Sequence, residues 1–218
     1  QIAERTSHVN TSSNQLSTAT GQGIVNCIRA CAIERGLTGL SGLRIAVQGC
    51  GLIGSGVARS LAAQGAKVTV ADVDENKAKI LANEIGGKWI AADKILTTEV
   101  DIISPCAVGG VVTPQIVNDI RAWAICGGAN NQLSDPSVDA LLAARGIAYI
   151  PDFLASSGAV IEGIARTVMN TDPDPFIARL EATAVLILQQ ARKEKSGTDA
   201  IGRTIALSRI QKVNLSAA

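Results

Sequence analysis

Aromatic side chains are nearly missing from this sequence, at 2% of 218 residues. Proteins that stack bases along a nucleic-acid strand need such rings, and two Trp, two Phe and one Tyr leave little to stack on. Charge of one sign is missing too: the net charge is +1, which removes the electrostatic case for nucleic acid or an anionic membrane. No run reaches the roughly 18 apolar residues of a membrane helix, and no signal-peptide pattern is present. The expectation is a cytoplasmic protein. Histidine is limited to His8, and the five cysteines, at 27, 31, 50, 106 and 126, are odd in number and scattered. That excludes a disulfide framework as the organising device. Cys27 and Cys31 lie four apart on a predicted helix. A metal pair there would have only His8 as an imidazole partner, so two small thiols is the preferred reading and no metal site is expected.

What is present is aliphatic. Hydrophobic residues make up 47% of the chain, mostly Ala, Ile, Leu and Val. Such a composition suits a parallel sheet covered by helices on both faces. One stretch organises the rest, Leu43 to Asp74. It runs apolar strand, Gly-rich turn, helix, apolar strand, acid. Gly49, Gly51 and Gly54 are spaced G-x-G-x-x-G, and Asp72 closes the second strand. Gly49 permits a tight turn out of the strand, Gly51 lets the backbone approach a pyrophosphate, and Gly54 lets the helix lie close on the strand. A pyrophosphate then sits at the helix N-terminus, where free N–H groups and the dipole favour anions. Asp72 would accept hydrogen bonds from a ribose diol. A 2′-phosphate would meet Asp72, with Asp74 close behind and no basic residue in their place, so NAD is favoured over NADP.

Periodicity and turn residues extend this unit into an alternating series. A polar leader, 1–16, precedes a helix over Thr18–Glu34, ended by Gly36. Strands are predicted at Leu43–Gln48, Val68–Ala71, Lys88–Ala91, Val100–Ser104, Trp123–Cys126 and Ala148–Ile150. Helices are predicted at Gly54–Gln64, Glu75–Ile85 with Asp74 as N-cap, Pro114–Ile120 and from Asp135–Pro136 to Arg145, with a helical turn at Ala92–Thr97. Three helices follow: Val160–Met169, Phe176–Lys195 and Asp199–Gln211. The fold class is α/β, a Rossmann-type doubly wound parallel sheet with C-terminal helices. The expected organisation is a hinge or linker over 1–17, an NAD-binding domain over 18–170, and helices over 171–218 that pack on it or on another domain.

Ligands of such sheets lie beyond the carboxyl ends of the strands. The loops there are GCGLIG, Asp72, PCAVGG, GGANNQL and PDFLASSGA. Ala107 and Ala129 would let a flat ring approach. Asn130 and Asn131 could bond a carboxamide or carboxylate, or could satisfy the turn's own backbone. Proton transfer needs a positioned acid or base, and only Asp152 and Glu162 qualify. Asp152 could equally close a turn. No lysine lies in these loops, so no catalytic residue is expected in this chain.

Taken together, TATGQG, IAVQGCGLIG, ADVD, PCAVGG, GGANNQL and PDFLASSGAVI resemble the Glu/Leu/Phe/Val (amino acid) dehydrogenase family, most of all its leucine, phenylalanine and valine branch. The match spans about residues 5–210 in order. The resemblance implies NAD-dependent oxidative deamination of an L-amino acid (Leu-, Val-, Phe- or Trp-like) to a 2-oxo acid and ammonia. It places Thr20 near the nicotinamide carboxamide and Gly51, Leu52 and Ile53 at the pyrophosphate. Asp72 falls at the adenosine ribose, with Val73 also at the cofactor, Ala107 and Ala129 along the adenosine-to-nicotinamide track, and Asn131 at the nicotinamide ribose or substrate. Val160 and Gly163 match positions that shape the substrate side-chain pocket. The family's catalytic lysines belong to an N-terminal domain with a GGxK motif that these residues lack. Its N-A-G-G reads Ser156-Ser157-Gly158-Ala159 here, and its GAANN has Gly128 for Ala. The implied picture is the cofactor half of a longer enzyme, inactive alone, sharing its substrate with that domain and oligomerising only through it. The alternative is a stand-alone NAD-binding regulatory or sensing module.

Overall fold

The computed structural model describes residues 13–216, with side chains over 14–211. Six parallel strands form one sheet in the order β3-β2-β1-β4-β5-β6. They are β1 (Arg44–Gln48), β2 (Lys67–Ala71), β3 (Lys88–Trp89), β4 (Ile102–Pro105), β5 (Ala124–Ile125) and β6 (Ala148–Tyr149). The order reverses between β1 and β4, which pair from Ile45↔Ile102 to Gln48↔Pro105. Crevices for ligands open at such reversals.

Side-chain alternation explains why both faces are covered. On β1 Ile45 and Val47 enter one core, and Ala46 enters the other. On β4 and β5 the same split separates Ile102 and Ala124 from Ile103 and Ile125. The first face carries α1 (Ser13–Glu34), α2 (Leu52–Ala63), α3 (Glu75–Ile85) and α8 (Asp174–Glu194). The second carries a 3-10 turn (Ala92–Thr97), α4 (Pro114–Val117) and α5 (Ser137–Ala144). After β6 come α6 (Asp152–Ala155) and α7 (Gly158–Thr167), and α9 (Thr198–Ser216) follows α8. The cysteines of α1 are buried free thiols, as expected. No group of metal-ligating side chains occurs among the described residues. No described helix is long and apolar enough to cross a membrane.

The helix expected over Pro114–Ile120 ends at Val117 and the strand expected over Lys88–Ala91 at Trp89, and two further elements differ more. Helix α1 begins at Ser13, so residues 13–17 belong to it rather than to a linker. The remainder of the expected hinge, 1–12, lies outside the described residues. The Ser/Thr/Asn run hid the helix because those side chains compete for backbone bonds. Here they bond inside it: the Thr18 hydroxyl donates to Asn14 O and the Thr20 hydroxyl to Leu16 O. The expected loop after β6 contains α6, a single turn too short for any periodicity to reveal.

The C-terminal helices pack on this domain. Asn26 of α1, nearly fully buried, donates to Ile177 O of α8 at 3.1 Å. Helix α7 meets α1 at Gly158, where an added Cβ would come within 2.0 Å of Ala19 O. Backbone cannot yield there as a flexible side chain would. Gly158→Ala is therefore expected to cost about 2 kcal/mol or more from overpacking, lowering Tm by roughly 4–8 °C at this length. A thermal melt beside the Gly163→Ala control checks this, since a Cβ at Gly163 meets nothing within 4 Å.

Candidate cofactor and substrate site

The turn after β1 is built by glycine in two places. Gly49 has φ +95°, and a Cβ there would sit 2.9 Å from the Ala107 Cβ, so the loops after β1 and β4 are in contact. Gly54 lies closer still, its absent Cβ only 2.0 Å from Gly49 O. Helix α2 can thus begin directly on the turn. At Gly51 nothing stands within 4 Å of where a Cβ would be, leaving open space over the helix start. Gly51 is also the N-cap of α2, makes no side-chain cap, and no acid lies in the first turn. The amides there are left for an anionic ligand.

Asp72 stands at the end of β2 and ties this edge together. Its Oδ2 accepts from the Cys50 amide at 2.7 Å and its Oδ1 from the Asp74 amide at 2.9 Å. Burial works to raise its carboxyl, but those amides and the nearby Lys77 outweigh it and hold the group below its ordinary 3.8. It is ionised at neutral pH, with lone pairs left for a diol. Lys77 is a basic residue the sequence reading passed over: its Nζ lies 3.9 Å from Asp74 Oδ2. The one-turn spacing from Asp74 on α3 was the available signal. Cys50, beside Asp72, has its thiol pushed up to about 11 by burial and then by that carboxylate, so it is no nucleophile.

The loops after β4, β5 and β6 are stapled to one another. The Gly110 amide donates to Asn131 O at 2.7 Å, and the Asn131 amide donates to Asp152 Oδ2 at 2.6 Å. Asn131 has φ +50°, which asparagine tolerates better than most residues. Buried Gln132 donates to Gly127 O at 2.8 Å, pinning the turn from within. Asp152 thus closes a turn with its Oδ2. Glu162 is buried and paired with Arg166. The Ser156 and Ser157 hydroxyls turn back onto Asp152 O and Leu154 O.

The remaining expected residues fall around this edge with different exposures. Val73 and Leu52 are exposed apolar side chains, at 93% and 60%, and Ala107, beside Gly49, is exposed as well. Ala129 is buried, its amide on Pro105 O at 2.9 Å, so it forms floor rather than wall. Ile53 and Ile24 converge on Gly128, 3.0 and 2.6 Å from its would-be Cβ. Thr20 is buried one turn before Ile24, its hydroxyl spent within α1. Val160 on α7 is exposed, and Gly163 lies three residues on along the same helix. The edge offers a glycine turn with free amides, an ionised carboxylate and apolar walls. A dinucleotide fits these donors and acceptors.

Comparison with known proteins gives the family. The glutamate/leucine/phenylalanine/valine dehydrogenase family model matches residues 12–78 and 69–175. The chain belongs to that family. It is 33% identical to leucine dehydrogenase of Thermoactinomyces intermedius over 179 residues, covering 82% of this chain and 49% of the relative. Phenylalanine dehydrogenase of the same organism is 32% identical over 203 residues, 90% of this chain and 55% of the relative. The crystal structure of L-tryptophan dehydrogenase from Nostoc punctiforme superposes with a TM-score of 0.84 at 28% identity, covering 90% of this chain and 61% of that one. The chain spans about half the length of the curated relatives it matches. As a family member with the Rossmann-type sheet, it carries the amino acid dehydrogenase motifs at the carboxyl edge of its strands.

Proposed function

We propose that this chain is the NAD-binding half of an L-amino acid dehydrogenase that oxidatively deaminates an apolar substrate. The carrying observation is the Asp72 carboxylate, fixed by the Cys50 amide 2.7 Å away at the mouth of the glycine turn. Bound NAD supplies the acceptor for the hydride that leaves the substrate Cα as the amino acid is oxidised. The residues here bind and orient. The α2 amides at Leu52, Ile53 and Gly54 receive the pyrophosphate, and Gly49 and Gly51 admit it. Asp72 takes the adenosine ribose. Val73 lies at the cofactor, Ala107 and Ala129 line the track from the adenosine to the nicotinamide, Asn131 reaches the nicotinamide ribose or the substrate, and Thr20 the nicotinamide carboxamide. Val160 and Gly163 present an uncrowded stretch of α7 to the substrate side chain, which suits a Leu-, Val-, Phe- or Trp-like group.

Two acids that could have moved a proton, Asp152 and Glu162, are engaged in structural bonds. The proton-transferring lysines would then come from a further domain, which would share the substrate and mediate any oligomer. Asp72 beside Asp74 repels a 2′-phosphate, so NAD is expected to bind at least about tenfold more tightly than NADP. Calorimetric titration of the chain with each cofactor checks this, and equal affinities would sink the assignment to NAD. The same protein mixed with NAD and L-leucine, L-valine, L-phenylalanine or L-tryptophan should form no NADH. Turnover by these residues alone would refute the division of labour. The backbone-bonded hydroxyls of Ser156 and Ser157, withheld from any substrate, favour the second reading, a regulatory NAD-binding module. Turnover in the protein that carries a lysine-bearing domain would decide against it.

A further inference from the structure

The opposite edge of the sheet holds a cavity of about 650 Å³. It lies where β5 and β6 begin, a full strand length from the glycine turn. Arg35, Asn118, Arg121, Trp123, Arg145 and Gly146 line it. Its lining carries three guanidinium groups against one carboxylate, Asp119. The volume falls within the range of small-molecule sites, roughly 300–1,000 Å³.

The three arginines are not equivalent. Arg145 is spent: its Nη1 donates to Val117 O and to Ile120 O, capping the end of α4. A cation at a helix C-terminus is ordinary dipole balancing. Arg35 lies over the Trp123 ring, 5.0 Å from its centre. Arg121 is exposed. Among the described residues no carboxylate ion-pairs with Arg35 or Arg121, whereas Arg29, Arg44, Arg59, Arg166, Arg192 and Arg203 each meet one. Two planar forks without a carboxylate partner among the described residues therefore line one hollow, together with Asn118. Planar forks match phosphate oxygens bidentately, and a guanidinium already stacked on indole loses less freedom on binding.

We propose that this cavity is a second ligand site, taking a small anion with one or more phosphate groups, held by Arg35 and Arg121. A nucleotide and a phosphorylated metabolite without a base share that chemistry. The site is separate from the cofactor crevice, so it can be filled while the crevice is occupied.

Trp123 reports on the site directly. The chain has two tryptophans, and Trp89→Phe leaves Trp123 as the only indole. In that background, titration with inorganic pyrophosphate under saturating NAD should give a saturable change in indole fluorescence. Arg121→Gln should raise the half-saturating concentration about tenfold, from the loss of a charge-assisted contact, and leave NAD affinity unchanged. ADP binding more tightly than pyrophosphate marks the ligand as a nucleotide, and the reverse marks a phosphorylated metabolite. Both orders support the site. No saturable response, or one that Arg121→Gln does not weaken, overturns it. If NAD itself fails to bind, an Arg121-dependent pyrophosphate response still stands, so the two proposals fail separately.

Discussion

Gly54→Ala should leave a folded chain that no longer binds a dinucleotide. The new methyl would lie 2.0 Å from Gly49 O and 3.2 Å from the Cys106 Cβ. Helix α2 must then rise off the turn by more than an ångström, because the obstacle is backbone. Overpacking of this kind costs about 1–3 kcal/mol. The larger effect falls on the ligand. The α2 amides retreat from the pyrophosphate position while Gly49, fixed by its own amide on Ala71 O at 2.7 Å, stays. Misplaced donors lose most of their bond strength, so affinity should drop roughly 100-fold or more if two such bonds, each about 1.5–3 kcal/mol, are lost. Calorimetry with NAD, with circular dichroism to verify the fold, measures both. Wild-type affinity in the variant would mean the phosphates bind elsewhere.

The glycine unit was legible because two of its glycines answer needs that only glycine meets, Gly49 with φ +95° and Gly54 with its absent Cβ 2.0 Å from Gly49 O. The parallel, helix-covered sheet was legible too, since alternating strands and helices of this length leave few topologies. Legibility ended where side-chain roles depend on contacts distant in sequence. Asp152 reads as a candidate acid in PDFLASSGA, and only the fold brings it to the Asn131 amide, 21 residues away. Glu162 was ambiguous for a different reason: its partner Arg166 lies one turn on along α7, but only the fold shows that Glu162 itself is buried. Ala129 reads as a wall and proves to be floor, because its exposure depends on Pro105 across the sheet. The arginine cavity was invisible, since its lining comes from four separated stretches with no common motif.

Asp72→Ser carries the second large effect. The serine is shorter and uncharged, so it loses the ribose and also releases the Cys50 and Asp74 amides. Loss of charge-assisted bonds worth about 1.5–3 kcal/mol weakens NAD roughly 10- to 100-fold. NADP should lose less or gain, because the carboxylate that repels its 2′-phosphate is gone while Lys77 remains. The ratio of the two affinities, measured by titration, should therefore fall toward one. A ratio that stays at its wild-type value would show that Asp72 does not face the ribose. The pH dependence follows from the same group. The Asp72 carboxyl is held below its ordinary 3.8 in the fold. Its amide bonds thus stabilise the turn fully above that value and are lost as pH falls through the lower folded value. NAD binding should be flat from neutral pH into the mildly acidic range and decline only in stronger acid.

The seat of α8 on α1 bears on how the chain is made. Asn26 and Ile177, joined by a hydrogen bond, are 151 residues apart. Contacts of such long range slow folding, because a large loop must close before they form. On a ribosome that adds roughly 5–20 residues per second, α1 emerges many seconds before its cover. Asn26, nearly fully buried in the finished fold, lacks its α8 partner through that interval. The sheet partners of α1 arrive sooner and shield part of its length, but the strip beneath Ile177, Leu180 and Ala184 must wait for α8. A stall before α8 is made therefore leaves that strip of α1 uncovered.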